Sequence, residues 1–215
     1  MKFKMSEVDL AKMVVSHLVD WGWEVYQEVD GNGTGGRCDI VGKRGKVLWA
    51  IECKMSFGFP VIEQAAKWRF RAHYVSIAIP SPRSRENFGW KVCRDYGIGM
   101  LTCRHRDITE EIRPRLHRKI RPLEVFEEQK TFCDAGSPCG GHWTRFKCTV
   151  RNLVAEVNRC PGIEFNQLIK GLDHHYHTFG TAKSCLRGFI GTVIPELRAE
   201  MVGRKLCVFP AEVKQ

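Results

Sequence analysis

The sequence predicts an α/β fold in which helices flank a mixed β-sheet. First, helical and strand patterns alternate through the first half of the chain, which is typical of this class. Second, short apolar runs such as 74–80 ("YVSIAIP") end at glycine or proline and resemble buried strands. Third, 43% hydrophobic and 27% charged residues are an ordinary composition for a folded globular chain of 215 residues.

The elements of the first half follow from local patterns. Apolar residues recur at helical spacing between Leu10 and Trp21, and Ser6 is a suitable N-cap for that helix. Residues 23–29 alternate as in a strand, and Gly45 marks a turn between two further strands. The predicted elements are a helix at 6–21, strands at 23–29, 38–42 and 47–54, a helix at 61–74, a strand at 74–80, a helix at 84–96 and a strand at 98–103.

The second half begins with a change of character. Residues 104–130 are rich in arginine and are interrupted by Pro114 and Pro122, so we predict a basic connector that lies along a ligand. Three helices at 147–159, 163–172 and 181–197 and a hairpin at 199–210 are predicted after it. This arrangement is typical of a winged-helix domain, whose third helix enters the DNA major groove. The predicted domains are therefore 1–103, 104–130 as the connector, and 131–215.

The chain carries a formal net charge of +10 at pH 7, and both halves are basic. This favours a polyanionic partner such as DNA, although a well-solvated basic surface is the simpler alternative. No stretch approaches the roughly 20 apolar residues that span a bilayer, and acidic residues precede any long apolar run at the N-terminus. We therefore expect a cytoplasmic protein without a membrane partner, whose ten cysteines are reduced thiols.

Charged residues interrupt an otherwise apolar hairpin at 38–54, "CDIVGKRGKVLWAIECK". Because side chains alternate along a strand, Glu52 and Lys54 project from one face, and the hairpin can bring Asp39 beside Glu52. Two carboxylates, with the Cys53 backbone carbonyl between them, suit Mg²⁺, with Mn²⁺ as a substitute. Such an ion polarises a phosphodiester, and a lysine can hold the attacking water or stabilise the phosphate. The alternative is a surface ion pair between Glu52 and Lys54, with Asp39 as a turn residue.

These residues resemble the active-site pattern of the PD-(D/E)xK nuclease superfamily, which includes restriction endonucleases, Holliday-junction resolvases and many phage and repair nucleases. Asp39 is followed on the next predicted strand by the ExK residues 52–54. Glu7 lies where members often carry an extra acidic residue in the first helix, and Gln64 lies where several carry a helical active-site residue. Cys38 replaces the proline of the pattern, which is often absent from members.

The resemblance implies a restriction-endonuclease-like core with the element order αβββαβαβ over residues 5–103. It implies metal-dependent hydrolysis of DNA by the catalytic residues Asp39, Glu52, Lys54 and Gln64. The implied metal ligands are Asp39, Glu52, Glu7 and the backbone carbonyl of Cys53. A junction resolvase of this kind would act as a homodimer, with two sites on opposite strands.

The helix after the ExK strand offers contacts to the DNA backbone. Gln64, Lys67, Trp68 and Arg71 are spaced to form one stripe, with Gln64 nearest the metal. Lys67 and Arg71 would then continue toward the phosphates. The alternative is a solvated polar face with Trp68 as a core residue.

In the second half, His175 and Tyr176 precede the third predicted helix, and Lys183 and Arg187 lie in its first turns. A helix N-terminus and its basic residues attract phosphate, so we expect Lys183 and Arg187 to contact DNA. His175 and Tyr176 would contact a phosphate or stack on a base, although plain turn packing is the simpler alternative.

A possible zinc set is formed by Cys133, Cys139, His142 and Cys148. Its spacing fits no common structural-zinc pattern, where C-x2-4-C pairs dominate, so we do not expect structural zinc. Two functions are compatible with the whole sequence. The first is a Mg²⁺-dependent DNA endonuclease, with structure-specific and phage- or mobile-element-associated enzymes among those it resembles. The alternative is a non-catalytic DNA-binding regulator that uses a nuclease-like fold.

Overall fold

The computed structural model describes residues 5–31, 36–81, 87–104, 107–136 and 143–211. The chain divides into two compact units, Met1–Trp143 and Thr144–Gln215, which are considered separately. No helix within the described ranges is both long enough and apolar enough to cross a membrane.

The first unit is an α/β structure built on a six-stranded mixed sheet, in agreement with the predicted fold class. Its strands lie side by side in chain order; β1, β2 and β3 are antiparallel neighbours, β3, β4 and β5 are parallel, and β6 is antiparallel to β5. The elements are α1 Glu7–Asp20, β1 Glu24–Asp30, β2 Arg37–Arg44, β3 Val47–Cys53, α2 Phe59–Lys67, β4 Tyr74–Pro80, α3 Phe88–Tyr96, β5 Gly99–Arg104 and β6 Asp107–Ile112.

Helix α1 begins at Glu7 because a capping box fixes its first turn. The Asp9 backbone N–H donates to Ser6 Oγ at 3.1 Å, and the Ser6 N–H donates to Asp9 Oδ2 at 2.9 Å. The helix packs on one face of the sheet through Leu10, Val14 and Leu18, which are fully buried. This packing holds the start of α1 against the sheet, and Glu7 with it.

Strand β3 lies inside the sheet and is buried on both faces, as its apolar run predicts. Leu48 and Ala50 belong to the core on the side of α2 and α3, whereas Trp49 and Ile51 belong to the core on the side of α1. The two faces therefore have separate cores, and a side chain on β3 contacts one of them only.

The first unit extends past the predicted boundary at residue 103, and 104–130 is not a free connector. Strand β6 pairs with β5, and the Leu123 side chain lies in the core beneath α2. The Leu123 backbone N–H donates to the Arg71 carbonyl at 3.0 Å, so this irregular segment is fixed to the sheet layer. Residues 113–126, which follow β6, pack against the rest of the unit without forming a helix or strand. Their sequence therefore shows weak apolar periodicity and resembles that of a linker.

Helix α2 is shorter than the predicted helix at 61–74. It ends at Lys67, and a 3-10 turn follows at Trp68–Phe70. The His73 backbone N–H donates to the Leu48 carbonyl at 2.9 Å, and Tyr74 begins β4. The chain must leave the helix early to enter the sheet, which a helical apolar pattern does not reveal.

The second unit contains three helices and a small three-stranded antiparallel sheet in the order β7-β9-β8. The predicted hairpin is present, with its turn at Gly203, which has a φ of 63°. The third helix ends at Phe189 rather than at 197, because Gly191 adopts a φ of 78° and Ile190 forms a β-bridge with Ile194. The elements are α4 Arg145–Arg159, β7 Ile163–Glu164, α5 Phe165–Gly171, α6 Phe179–Phe189, β8 Leu197–Val202 and β9 Lys205–Pro210.

Candidate active site

Asp39 and Glu52 meet where the ladder between β2 and β3 ends. The last residue pair of that ladder is Ile40 and Ile51, and beyond it the Cys53 backbone N–H donates to Asp39 Oδ2 at 2.8 Å. The Asp39 carboxylate thus accepts the hydrogen bond that a backbone carbonyl of the neighbouring strand would accept if the ladder continued. The hairpin brings the two acids together, as the strand period and the turn at Gly45 predict.

Glu52 is a buried carboxyl group, with 3% of its surface exposed. The Trp68 indole N–H donates to Glu52 Oε1 at 2.5 Å and fixes the side chain from the 3-10 turn after α2. Burial first and the nearby charge of Asp39 second raise the pKa of Glu52, and although the Trp68 hydrogen bond and the charge of Lys54 act in the opposite direction, the net value is about 8. At neutral pH this site therefore retains a proton that an exposed glutamate would lose.

The Asp39 carboxyl group also has a raised pKa. Burial is the main cause, and the negative charge of Glu7 adds to it, while the Cys53 N–H and the charge of Lys54 act in the opposite direction. The negative charge of Asp39 raises the pKa of Glu52, so the two acids are electrostatically linked. Two such carboxyl groups titrate as a pair, and a cation that binds both must displace the proton that the pair holds.

Lys54 follows β3 directly and forms an ion pair with Glu7. Its Nζ lies 2.6 Å from Glu7 Oε1, and both side chains are about 30% exposed, at 31% and 29%. Burial lowers the pKa of Lys54, but the hydrogen bond to Glu7 and the charges of Asp39 and Glu52 outweigh it and raise the pKa overall. Lys54 is therefore a positive charge, held by Glu7, that acts on the buried Glu52 and the half-buried Asp39.

A further acid at this site, Glu28 on β1, was missed by the sequence analysis. It lies between the paired residues Gln27 and Val29 with a φ of 55°, in the left-handed region, and is 3% exposed. Its side chain forms an ion pair with Arg37 and accepts the Gly136 backbone N–H at 2.8 Å.

Glu28 is electrostatically coupled to the acid pair. Burial raises the pKa of Glu28, the charge of Asp39 raises it further, and the charge of Lys54 lowers it. The signal in the sequence was an acid late in β1, where the hairpin register places it opposite Asp39. The sequence does not reveal this role, because the residues around Glu28 look like an ordinary strand. A positive φ at a non-glycine residue has no sequence signature.

The predicted stripe on α2 does not form one surface. Gln64 and Lys67 are exposed, whereas Trp68 is buried and points at Glu52, and Arg71 lies half-buried beyond the 3-10 turn. The Gln64 side chain forms no hydrogen bond with any other residue that the structure describes. Its predicted place at the metal is not supported by a contact, since the early end of α2 rotates Trp68 into that position.

In the second unit, His175 packs against helix α4. Its Nδ1 lies 2.8 Å from Thr149 Oγ1, its ring packs edge-on against Phe146 at 6.2 Å, and burial lowers its pKa. Tyr176 packs against the core of this unit. These contacts correspond to the turn-packing alternative.

Helix α6 carries Lys183 half-buried and Arg187 exposed. Of the four residues at which no structural zinc is expected, Cys133, Cys139, His142 and Cys148, the second and third lie outside the described residues.

Within the part of the chain that the structure describes, no three or more His, Cys, Asp or Glu side chains are grouped closely enough to hold a metal ion. The acids near β3 are arranged instead as the Asp39–Glu52 pair and the Glu7–Lys54 ion pair. Any cation here would rely on the two carboxyl groups and on backbone or water oxygens.

Comparisons with known proteins add little. No family model matches the chain, and no curated protein matches it. A solved structure that does match is a protein of unknown function, SPO1766, from Silicibacter pomeroyi, at 19% identity with a TM-score of 0.39. The match covers 60% of this chain and 81% of that one, and at this level of similarity it supports no conclusion about fold or function.

Proposed function

We propose that the first unit is a divalent-cation-dependent deoxyribonuclease that hydrolyses phosphodiester bonds, as the resemblance to the PD-(D/E)xK superfamily implies. One observation carries the proposal. The buried carboxyl group of Glu52 and the half-buried one of Asp39 lie close enough to shift each other's pKa where the ladder between β2 and β3 ends, and the charge of Lys54 acts on both. A purely structural role leaves the cost of burying two interacting acids unexplained.

The donor set fits Mg²⁺ or Mn²⁺. Mg²⁺ prefers oxygen ligands, keeps several waters and is commonly bound by only one or two carboxylates. Asp39 and Glu52 would supply these, with the Cys53 carbonyl as a third oxygen. When bound, the ion would lower the pKa of the attacking water and stabilise charge on the leaving oxygen.

The protein's own groups have defined tasks in this proposal. The Cys53 N–H orients the Asp39 carboxylate, and the Trp68 indole orients Glu52. Lys54, kept protonated by Glu7, would place positive charge against the phosphate as negative charge develops. Glu7 is assigned here as the partner of Lys54 rather than as a metal ligand.

For the second unit we propose a winged-helix-like DNA-binding role. The order α4-β7-α5-α6-β8-β9, with β7 pairing β9, supports this assignment. Helix α6 would approach the DNA with Lys183 and Arg187, and the β8–β9 hairpin would be the wing. The net charge of +10 is consistent with a DNA partner.

A cleavage assay tests the catalytic proposal. Supercoiled, linear and branched DNA are incubated with the full chain in Mg²⁺, in Mn²⁺ and in EDTA, alongside Glu52→Ala and Lys54→Ala. The matched control is Glu63→Ala, which removes an exposed acid from α2. We expect metal-dependent cleavage by the wild type and the control only. Cleavage that is equal in all four proteins, or absent from all four, would contradict the proposal.

The alternative, a non-catalytic DNA-binding regulator, is favoured by one observation. Lys54 is paired with Glu7, and among the residues described no three His, Cys, Asp or Glu side chains are grouped closely enough to hold a metal ion. This alternative predicts DNA affinity that falls with salt, no cleavage, and no heat of binding when Mg²⁺ or Mn²⁺ is titrated into the protein.

A further inference from the structure

The first unit contains a cavity of about 500 Å³ that is separate from the acid pair. Four aromatic side chains line it, namely Trp21, Trp23, Trp49 and Tyr74. Arg44, Glu110 and Arg113 contribute charged groups to the same lining. Its volume lies within the range of about 300–1,000 Å³ that is common for small-molecule sites.

The aromatic wall is built on Trp49 in the middle of β3. The Trp49 side chain is 4% exposed, and its indole N–H donates to Ser76 Oγ at 2.9 Å. The Trp23 ring lies edge-on to it at 5.5 Å, and the Trp21 ring lies nearly parallel to it, with 22° between the planes and 6.5 Å between centroids. Trp21 is 45% exposed, so part of this aromatic surface is available to a ligand.

The charged part of the lining is partly held in place by the aromatic part. The Arg44 guanidinium stacks over the Trp23 ring at 4.6 Å and donates to the Trp21 carbonyl. Glu110 lies within β6 and Arg113 directly after it, and both are exposed. Two arginines and one glutamate give the lining a formal charge of +1, which favours an anion over a cation.

The cavity and the acid pair lie at different places on β3. Trp49 precedes Glu52 by three residues, or roughly 10 Å along a strand. Trp49 belongs to the core beneath α1, whereas Glu52 contacts Trp68, which belongs to the core beneath α2. A small ligand in the cavity is therefore on the other face of the sheet from Glu52.

We propose that this cavity binds a nucleotide unit. A nucleotide combines a flat aromatic base with an anionic phosphate, and the cavity combines exposed indole surface with two arginines. The base would stack on Trp21, and the phosphate would pair with Arg44 and Arg113. Glu110 can accept a hydrogen bond from a base amino group. The proposal does not depend on the nuclease activity.

The same chemistry is offered by a free nucleotide and by one residue of a single-stranded nucleic acid. The test therefore uses two probes, dAMP and a (dA)6 oligonucleotide, titrated calorimetrically into the full chain in EDTA. The indole N–H signals in NMR spectra report which tryptophans are affected. Tight binding of dAMP identifies a free-nucleotide site, and binding of (dA)6 alone identifies a strand-binding site; either supports the proposal.

Two pairs of variants locate the binding. Trp21→Ala removes the exposed stacking surface, and Phe70→Ala removes an aromatic ring that is 71% exposed elsewhere in the unit. Arg113→Ala removes a lining charge, and Arg94→Ala removes an exposed charge from α3. We expect Trp21→Ala to weaken binding about 5- to 100-fold, as the loss of one base–aromatic stack does, and Arg113→Ala to weaken it less. The two controls should bind like the wild type.

The proposal is overturned if neither probe binds the wild type at millimolar concentration. It is also overturned if each variant and its control weaken binding equally, because the binding surface would then lie elsewhere. Circular dichroism of each variant verifies that it is folded, and Trp21→Phe, which keeps a stacking ring, should recover part of the affinity.

Discussion

Two clusters on the first unit each combine acidic side chains with a lysine, and the pKa values of their acids shift in opposite directions. One joins Glu24, Glu127 and Lys130 around the Tyr26 hydroxyl, and the other joins Asp39 and Glu52 near Lys54. In the first, Lys130 lies 2.9 Å from Glu24 and 2.7 Å from Glu127, so that one ammonium serves both acids. Hydrogen bonds from Lys130 and then Tyr26 lower the pKa of each acid.

In the second cluster the lysine is engaged elsewhere. Lys54 bonds to Glu7, and the two acids are left facing each other in a buried place where their pKa values rise. The comparison shows that the number of charges does not decide whether a site is satisfied; their pairing and burial do. In the exposed cluster the lysine bonds directly to both acids, whereas in the buried one the lysine bonds to Glu7 and acts on the acid pair only through its charge.

The largest expected effect is on the rate of DNA cleavage. It tests whether the buried cluster, and not the exposed one, takes part in the proposed reaction. Glu52→Gln keeps the shape of the side chain but removes its charge, and Lys54→Ala removes the fixed ammonium. We expect each to lower the rate of DNA cleavage in Mg²⁺ by about 100- to 1,000-fold, as is typical for loss of one stabilising group. Glu24→Gln, in the exposed cluster, should cleave at the wild-type rate. An equal loss of cleavage rate in all three variants would contradict a specific role of the buried cluster.

The next effect concerns Trp68, whose indole N–H donates to Glu52 in the buried cluster. Trp68→Phe keeps a ring but removes the hydrogen bond that lowers the pKa of Glu52, so that pKa should rise. We expect activity to fall about 10- to 100-fold, as for the loss of a group that orients a metal ligand. The acid limb of the pH–rate profile should move to higher pH. Trp90→Phe, at another buried indole, should leave the profile unchanged.

A third effect concerns the proton held by the buried pair. A cation must displace it, so Mn²⁺ affinity should rise roughly tenfold per pH unit between pH 6 and the Glu52 pKa of about 8. Calorimetry in two buffers of different ionisation enthalpy measures the released proton, which we expect to be close to one per ion. Glu52→Gln should release fewer protons. Affinity that is independent of pH would mean that the pair is already ionised.

The smallest effect is on stability. The folded-state pKa of Glu52, about 8, lies above its ordinary value of 4.5, so the folded state holds a proton that the unfolded chain loses. Stability should therefore fall as pH rises from about 4.5 to 8. Glu52→Gln removes this loss and should raise the free energy of unfolding by on the order of 2 kcal/mol near pH 8. Urea melts at pH 5 and pH 8 measure the difference, and Glu24→Gln should not reproduce the gain.

The parts that the sequence predicts are those governed by strand period and turn chemistry. The meeting of Asp39 and Glu52 follows from alternation along β3 and the turn at Gly45, which needs no knowledge of distant packing. The start of α1 follows in the same way from the capping box at Ser6.

The parts that the sequence does not predict depend on distant contacts. Trp68 looks like part of an amphipathic helix, but α2 ends at Lys67 because the chain must reach β4. Leu123 looks like a linker residue in the sequence, because the segment around it shows no helical or strand periodicity, yet its side chain is buried in the core. Glu28 looks like an ordinary strand residue, since its φ of 55° is imposed by the surroundings.

The position of Gly136 sets where the chain can be divided. Its amide holds Glu28, the Ala135 amide holds the Gln27 side chain at 3.0 Å, and a Cβ at Gly136 would lie 3.1 Å from Glu7 Cγ. A fragment that stops at residue 103 would lack Ala135 and Gly136. The buried side chains of Gln27 and Glu28 would then lose these two backbone donors. Dissection into the two units should therefore cut after Trp143, and a shorter N-terminal fragment that proves inactive would say nothing about the activity proposed for the intact chain.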